Sequence, residues 1–329
     1  MNFAQGARRE DPSMERLGPG RTCPLSYRYP PAVFRRDPEI VADTLYVIGG
    51  LYGNVEALEC ALSLAARETR PVKIVFNGDF HWFDVSAGDF ERVTREVAGH
   101  VALRGNVETE IAAEETGAGC GCAYPVDVSD AEVSRSNEIL ARLRDTARAF
   151  APSRARLAAL PMHLVARVGD ARIGIVHGDA ASLAGWGFAA DRLDNPAHRR
   201  WIESAFRDAR VDVFASTHTC LPAFREFALD GGAAIVANNG AAGMPNFDGR
   251  RRGLVTRIGH AVFDGPERIY GLEAHGVHVE ALELAYDHGR WVERFLASWP
   301  EGSPAHASYF RRIVDGPRFA PAQATPRAA

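Results

Sequence analysis

Lysine is almost missing from this 329-residue chain: of 38 basic residues, only Lys73 is not arginine. Guanidinium groups suit bidentate phosphate contacts, but a genome-wide codon bias accounts for the skew equally well. Long apolar runs are also missing. The longest are strand-sized, so no membrane span is expected. Arg8, Arg9 and Glu10 near the start have no apolar segment behind them, which argues against a secretory signal. Neither sign of charge dominates: 38 basic residues face 42 acidic ones, for a formal net charge of -4 and a pI near 6.3. That balance gives no bulk argument for nucleic-acid or membrane binding. Cysteine is scarce and odd in number, five in all. Without export, this points to a cytoplasmic protein with reduced thiols. Oligomeric state is left open.

What is present is apolar content of 46%, enough for a large core. Residues 1–40 read as a Pro/Arg-rich extension, mobile at first and then laid over the surface from 23 to 34. Residues 41–316 read as a single domain with a helical insertion at about 109–160. A Pro/Ala-rich tail, 317–329, is expected to be disordered. Within the domain, the apolar residues 44–48 run into Gly49-Gly50, and Asn54 caps an amphipathic stretch, 55–66. This is a strand, a tight turn and a helix, with neither acid nor histidine in the turn. Strands at 72–76 and 100–103 with a helix at 90–97 continue the alternation, which implies parallel pairing with right-handed crossovers.

The pattern then changes. A Gly-rich loop, 116–124, holds Cys120 and Cys122, and helical runs follow at 130–150 and 153–160. Gly169-Asp170 between 163–167 and 171–176 is a hairpin signal. Helical pieces are expected at 182–193 and 198–210, strands at 211–215, 223–228, 233–237, 253–258 and 277–286, and a helix at 290–297.

Four strands end in a group able to bind a metal: Asp79, Asn106, His177 and His218. Each follows a buried apolar run and sits beside a glycine or small residue, at a sheet edge where α/β proteins place ligands. Carboxylate, amide oxygen and two imidazoles form a mixed N/O set suited to Mn, Fe, Zn or Ni. Any one of them is an ordinary turn residue; four at successive strand ends are harder to dismiss.

The ordered set Gly50-Leu51-Tyr52, Gly78-Asp79, Gly105-Asn106-Val107, His177-Gly178 and Thr217-His218-Thr219-Cys220, with Asn238-Asn239-Gly240 after the next strand, resembles the calcineurin-like metallophosphoesterases over roughly residues 44–260. The resemblance implies a four-layer α/β/β/α sandwich and a two-metal site. One metal of that family is held by an Asp-x-His first motif, the bridging Asp and a final His. Those positions are Gly50, Tyr52 and Cys220 here, and only Asp79 remains. The second metal's ligands are all present as Asp79, Asn106, His177 and His218, so one ion is expected. Val107 stands where many members have a histidine that protonates the leaving group, a loss shared by the short prokaryotic branch.

Several residues are candidates to compensate. Tyr52 and Cys220 occupy the vacated positions and either ligate an ion or merely fill its volume. His81, two residues past Asp79, would point to the same edge, and Arg104 would contact phosphate. Trp82 and Phe83 would close the mouth. Cys120 and Cys122 form a redox or metal pair or are plain loop thiols, and the acidic run at 108–115 reads as a solvated face. Three readings stay open: a divergent phosphoesterase with one ion, a non-hydrolytic relative, and altered chemistry at a Tyr52/Cys220 centre. The partner would be a phosphorylated small molecule, a nucleotide or a phosphoprotein.

Overall fold

The computed structural model describes residues 18–114 and 117–325. Two short 3-10 turns, Leu25–Tyr27 and Pro31–Phe34, lead in. This segment is not simply laid on the surface, because Tyr27, Tyr29 and Phe34 are buried. Residues 1–17, where the mobile beginning was expected, lie outside the described residues.

The first half alternates. β1 (Ile40–Ala42) and β2 (Thr44–Ile48) precede α1 (Val55–Ala65), then come β3 (Val72–Asn77), α2 (Ala87–Val97), β4 (Val101–Leu103) and α3 (Asn106–Ala112). Helix α1 starts where Asn54 Oδ1 accepts the Ala57 N–H, the cap its sequence foretells. α4 (Asp130–Arg148) and α5 (Ala151–Ala158) follow, then β5 (His163–Val168) and β6 (Ala171–Val176). Next are α6 (Ala190–Leu193), α7 (Arg199–Ala209), β7 (Val213–Ser216), β8 (Pro222–Leu229) and β9 (Gly232–Asn239). β10 (Gly253–Gly259), β11 (Arg268–Ala274), β12 (Val277–Leu284), α8 (His288–Ser298), α9 (Pro304–Asp315) and α10 (Pro321–Ala324) complete the chain.

The strands form two six-stranded sheets, ordered β11-β12-β10-β2-β3-β4 and β1-β5-β6-β7-β9-β8. β2, β3 and β4 pair in parallel, and β5 and β6 form the antiparallel hairpin. Side-chain alternation explains the layering. Leu45 and Val47 of β2 enter the core between the sheets, with Ile173, Ile175 and Val279. Tyr46 and Ile48 point the other way, into the core under α1, α2 and α8. Val165, Phe214 and Val236 of the second sheet face α7 through Phe206. Three apolar interfaces separate four layers, helix, sheet, sheet and helix, as the resemblance implies.

Three features differ from expectation. Residues 182–189 are a loop, not a helix, clamped by the Asp179 carboxylate, which accepts from the backbone N–H groups of Ala181, Ser182 and Gly187. β1, β11 and α9 carry weak or irregular patterns and were not anticipated. Residues 317–325 of the tail are ordered, and 326–329 lie outside the described residues: Phe319 stacks on Phe247, and Arg225 donates to the carbonyls of Gln323 and Ala324. Those contacts supply the burial that its composition alone does not promise.

Candidate metal centre

Asp79, Asn106, His177 and His218 follow β3, β4, β6 and β7, and the two sheets bring these four strand ends to one place. One carboxylate oxygen of Asp79 and one ring nitrogen from each histidine lie within 4.8 Å of one another, and all three residues are buried. Asn106 joins them, its Oδ1 3.1 Å from His177 Nε2. His177 Nε2 is also 3.3 Å from Asp79 Oδ2 and 3.2 Å from His218 Nδ1.

The hydrogen bonds on the far side of each group fix which atom faces inward. His177 Nδ1–H donates to the Asn77 carbonyl (2.9 Å), which leaves the Nε2 lone pair for the cluster. His218 Nε2–H donates to the Cys122 carbonyl (3.2 Å), which leaves Nδ1. Asn106 Nδ2 donates to the Cys120 carbonyl (3.0 Å), which turns Oδ1 inward. Four lone-pair atoms thus converge on one buried point with no intervening donor. Such a set repels itself unless a cation or a proton sits among them, and outer hydrogen bonds of this kind orient metal-ligating side chains. The buried Asp/His/His cluster can hold a metal ion. Electrostatics agree: burial, then the neighbouring His177, pushes His218 down to about 3. Burial works against charge on His177 too, but the Asp79 carboxylate outweighs it and raises its pKa.

The backbone is forced into place around these ligands. Asp79 and His218 both adopt positive φ, 50° and 59°, as do Tyr52 and Cys220. Such conformations cost about 1–3 kcal/mol for non-glycine residues and persist where surroundings over-determine them. Glu108 supplies part of that constraint. Its Oε2 accepts the N–H groups of Asp79 (2.7 Å) and Gly105 (2.8 Å), and its Oε1 that of His81 (3.2 Å). Burial, then Asp79, raises the Glu108 pKa. The expectation of a solvated acidic face is therefore wrong for Glu108 and Glu110, both buried, the latter accepting the Tyr27 hydroxyl. The signal in the sequence was the spacing from Gly105 to Glu108, that of a capping box.

The other expected residues divide. Tyr52 and Cys220 do come together, hydroxyl to sulfur at 3.0 Å, beside the cluster but with Cys220 outside the converging group. Burial, then Cys220, raises the Tyr52 pKa. His81 is not at the site. It is buried beneath α2, with Nδ1 2.5 Å from Asp84 Oδ2 and its ring stacked on Phe90, because the chain turns away from the sheet edge after Asp79. Arg104 is also elsewhere: its guanidinium donates to the Ala158 carbonyl at the end of α5. Cys120 and Cys122 are free thiols whose backbone carbonyls serve the site, and Cys122 Sγ also accepts from Asn106 Nδ2 at 3.6 Å.

A small cavity lies against the cluster, with about 40 Å³ open to the centre of a water molecule. Trp82 lines it as expected, whereas Phe83 packs behind, against Trp291 and Phe295. Tyr124, Trp186 and Tyr309 were missed. Tyr309 comes from α9, whose place over the site has no local signature. The Gly49–Asn54 turn is stapled from behind: Asn239 Nδ2 donates to the Gly49 carbonyl, Asn54 Nδ2 to that of Gly243.

No family model matches this chain, and no curated protein does. Among solved structures it is similar to a hypothetical protein from Pyrococcus horikoshii OT3, at 17% identity and a TM-score of 0.58. That match covers 85% of this chain and 100% of the other. It is also similar to a metallophosphoesterase from Sphaerobacter thermophilus, at 17% identity and a TM-score of 0.51, covering 83% and 100%. At this identity the likeness is one of fold.

Proposed function

We propose that this chain, which has the calcineurin-like metallophosphoesterase fold, is a divergent phosphoesterase that holds a single divalent ion through Asp79, Asn106, His177 and His218. The observation that carries the reading is the convergence of four lone pairs on one buried point, each aimed by a hydrogen bond behind it. The mixed N/O set suits Mn, Fe, Zn or Ni. A divalent ion there would supply Lewis-acid polarisation of a phosphoryl oxygen and a water of lowered pKa. The residues themselves do the positioning. Glu108 fixes the backbone of Asp79, and the carbonyls of 120 and 122 fix Asn106 and His218. The narrow cavity favours a small phosphorylated molecule over a phosphoprotein or a nucleotide. Five free thiols suit a reducing, cytoplasmic setting.

A second reading, a non-hydrolytic binding protein, draws on one specific observation. Tyr52 and Cys220 bond to each other where a second ion's ligands belong, and among the described residues neither arginine nor lysine lines the cavity. Bound metal per purified chain, followed by turnover of bis-p-nitrophenyl phosphate with added Mn²⁺, separates the two. The phosphoesterase reading requires metal near one equivalent and turnover lost in His177→Ala. Metal binding without turnover at any ion tested would leave the binding protein.

A further inference from the structure

Residues 18–30 hold three prolines and two glycines, which keep them from any helix longer than the turn at Leu25–Tyr27. They run instead as a strap stitched to both loops that flank the ligand cluster. On one side the Gly20 N–H donates to the Ala118 carbonyl (2.8 Å), and the Gly20 carbonyl accepts the Tyr124 N–H (2.9 Å). Asn137 reinforces that side: its Nδ2 donates to the Pro19 carbonyl (3.2 Å) and its Oδ1 accepts the Cys120 N–H (2.9 Å). On the other side lies the loop after His177. There the Leu183 N–H donates to the Tyr27 carbonyl (2.9 Å) and the Tyr29 N–H to that of Ala181 (3.0 Å).

Tyr27 is where these attachments meet the ligands. Its buried hydroxyl donates to Glu110 Oε1 at 2.5 Å, and Glu110 stands one turn after Asn106 on α3. The same hydroxyl rests against Gly121: a Cβ there would lie 2.5 Å from it and 3.2 Å from Asn106 Cβ. Gly121 separates the two carbonyls that aim Asn106 and His218. The Cys122 carbonyl also accepts Trp186 Nε1–H at 3.1 Å, so the two loops are joined at the bond behind His218. One tyrosine thus touches the helix that carries Asn106, the loop that orients Asn106 and His218, and the loop that leaves His177. Among the described residues, the ligand group and the cavity lining take nothing from 18–30. Whatever the strap does for an ion is done through other residues.

We propose that Tyr27 is a positioning residue of the metal centre, and that the strap and the ion tighten each other. The inference rests on the reading that Asp79, Asn106, His177 and His218 hold an ion. A contact that pre-orders the ligands raises their affinity for the ion, and by reciprocity the bound ion stabilises that contact by the same factor. Bonds directly behind metal ligands are worth about 10–100-fold in affinity. The Tyr27 hydroxyl stands one contact further out, so its loss should cost about tenfold.

The test is the Mn²⁺ and Zn²⁺ affinity of the full chain, by competition with a chelator, beside its melting temperature and the hydrogen exchange of the peptide spanning 18–30. Tyr27→Phe removes the hydroxyl and its bond to Glu110. Tyr46→Phe is the control. Tyr46 is likewise buried and donates to Glu68 (2.8 Å), beyond the end of α1 that points away from the ligand edge. Both substitutions should lower the melting temperature, but only Tyr27→Phe should weaken ion affinity, by about tenfold. Glu110→Gln keeps an acceptor for the Tyr27 hydroxyl and should retain most of the parent affinity. The ion should slow exchange of the 18–30 peptide in the parent, and less so in Tyr27→Phe. Equal affinity in the parent and Tyr27→Phe, or an equal loss in Tyr46→Phe, overturns the positioning role and leaves the ion reading standing. Exchange of 18–30 in the parent that the ion leaves unchanged also overturns it, a measurement that needs no variant to fold. A parent that binds neither ion overturns the single-ion reading and this inference with it.

Discussion

Replacing Glu108 by glutamine changes one atom in a fully buried side chain 29 residues from Asp79 in sequence and should unsettle the whole ligand cluster. The carboxylate accepts three backbone N–H groups, two on Oε2 and one on Oε1. A glutamine can keep its carbonyl on the N–H groups of Asp79 and Gly105. Its amide nitrogen then faces the His81 N–H, donor against donor. That leaves two buried donors unpaired, at about 1–3 kcal/mol each, or about 2–6 kcal/mol together. In a chain of this size about 2 °C is lost per kcal/mol, so the melting temperature should fall by ~4–12 °C. Because Asp79 holds a positive φ only while its surroundings demand it, metal affinity should also fall, by about 10–100-fold. Scanning calorimetry reads the first effect, and titration against a chelator of known affinity reads the second. A melting temperature within a degree of the parent, with metal affinity within about twofold, would refute the argument that Glu108 constrains Asp79.

Other perturbations test separate parts of the structure. His177→Ala removes the nitrogen nearest to the other three ligand atoms, and elemental analysis should find metal at background. Gly105→Ala would place a Cβ in overlap with the Asp79 carboxylate and 2.9 Å from His177 Cε1; the metal should be lost although the φ of Gly105 suits alanine. Tyr52→Phe removes only the bond to Cys220, so the unfolding free energy should fall by about 1 kcal/mol with metal content unchanged; loss of metal would make Tyr52 a ligand. His163, pushed from 6.5 to about 4 by burial and then by Arg36, favours the neutral ring in the folded state. Its contribution is present above pH 6.5 and lost as pH falls toward 4, so His163→Gln should flatten the dependence of the urea midpoint on pH across that window.

The four metal-binding candidates were legible because each ends a buried strand, and the topology of parallel strands carries such ends to one edge without further information. The alternation that separates Leu45 from Tyr46 likewise reads directly from the chain. Most of what stayed hidden depends on contacts distant in sequence. His81 and Arg104 sit at plausible spacings, yet the Asp84 carboxylate and the Ala158 backbone carbonyl take them away from the site. The acidic run at 108–115 looks solvated until the N–H groups of another loop are placed against Glu108. The tail was misjudged because its order is contributed by Arg225 and Phe247, far from it in sequence.

Helix α9 has a consequence for the order of events during synthesis. All four ligands are encoded between residues 79 and 218, and the strands that frame them are complete by Leu284. Tyr309 and Arg312, which sit over and behind the cavity, emerge only afterwards. A nascent chain that folds from its N-terminal side therefore passes through a stage in which the ligand cluster is assembled and uncovered. An ion can be loaded at that stage, before the last helices take their places around the cavity. A chain released before residue 304 should exchange its ion quickly; the finished protein should exchange it slowly.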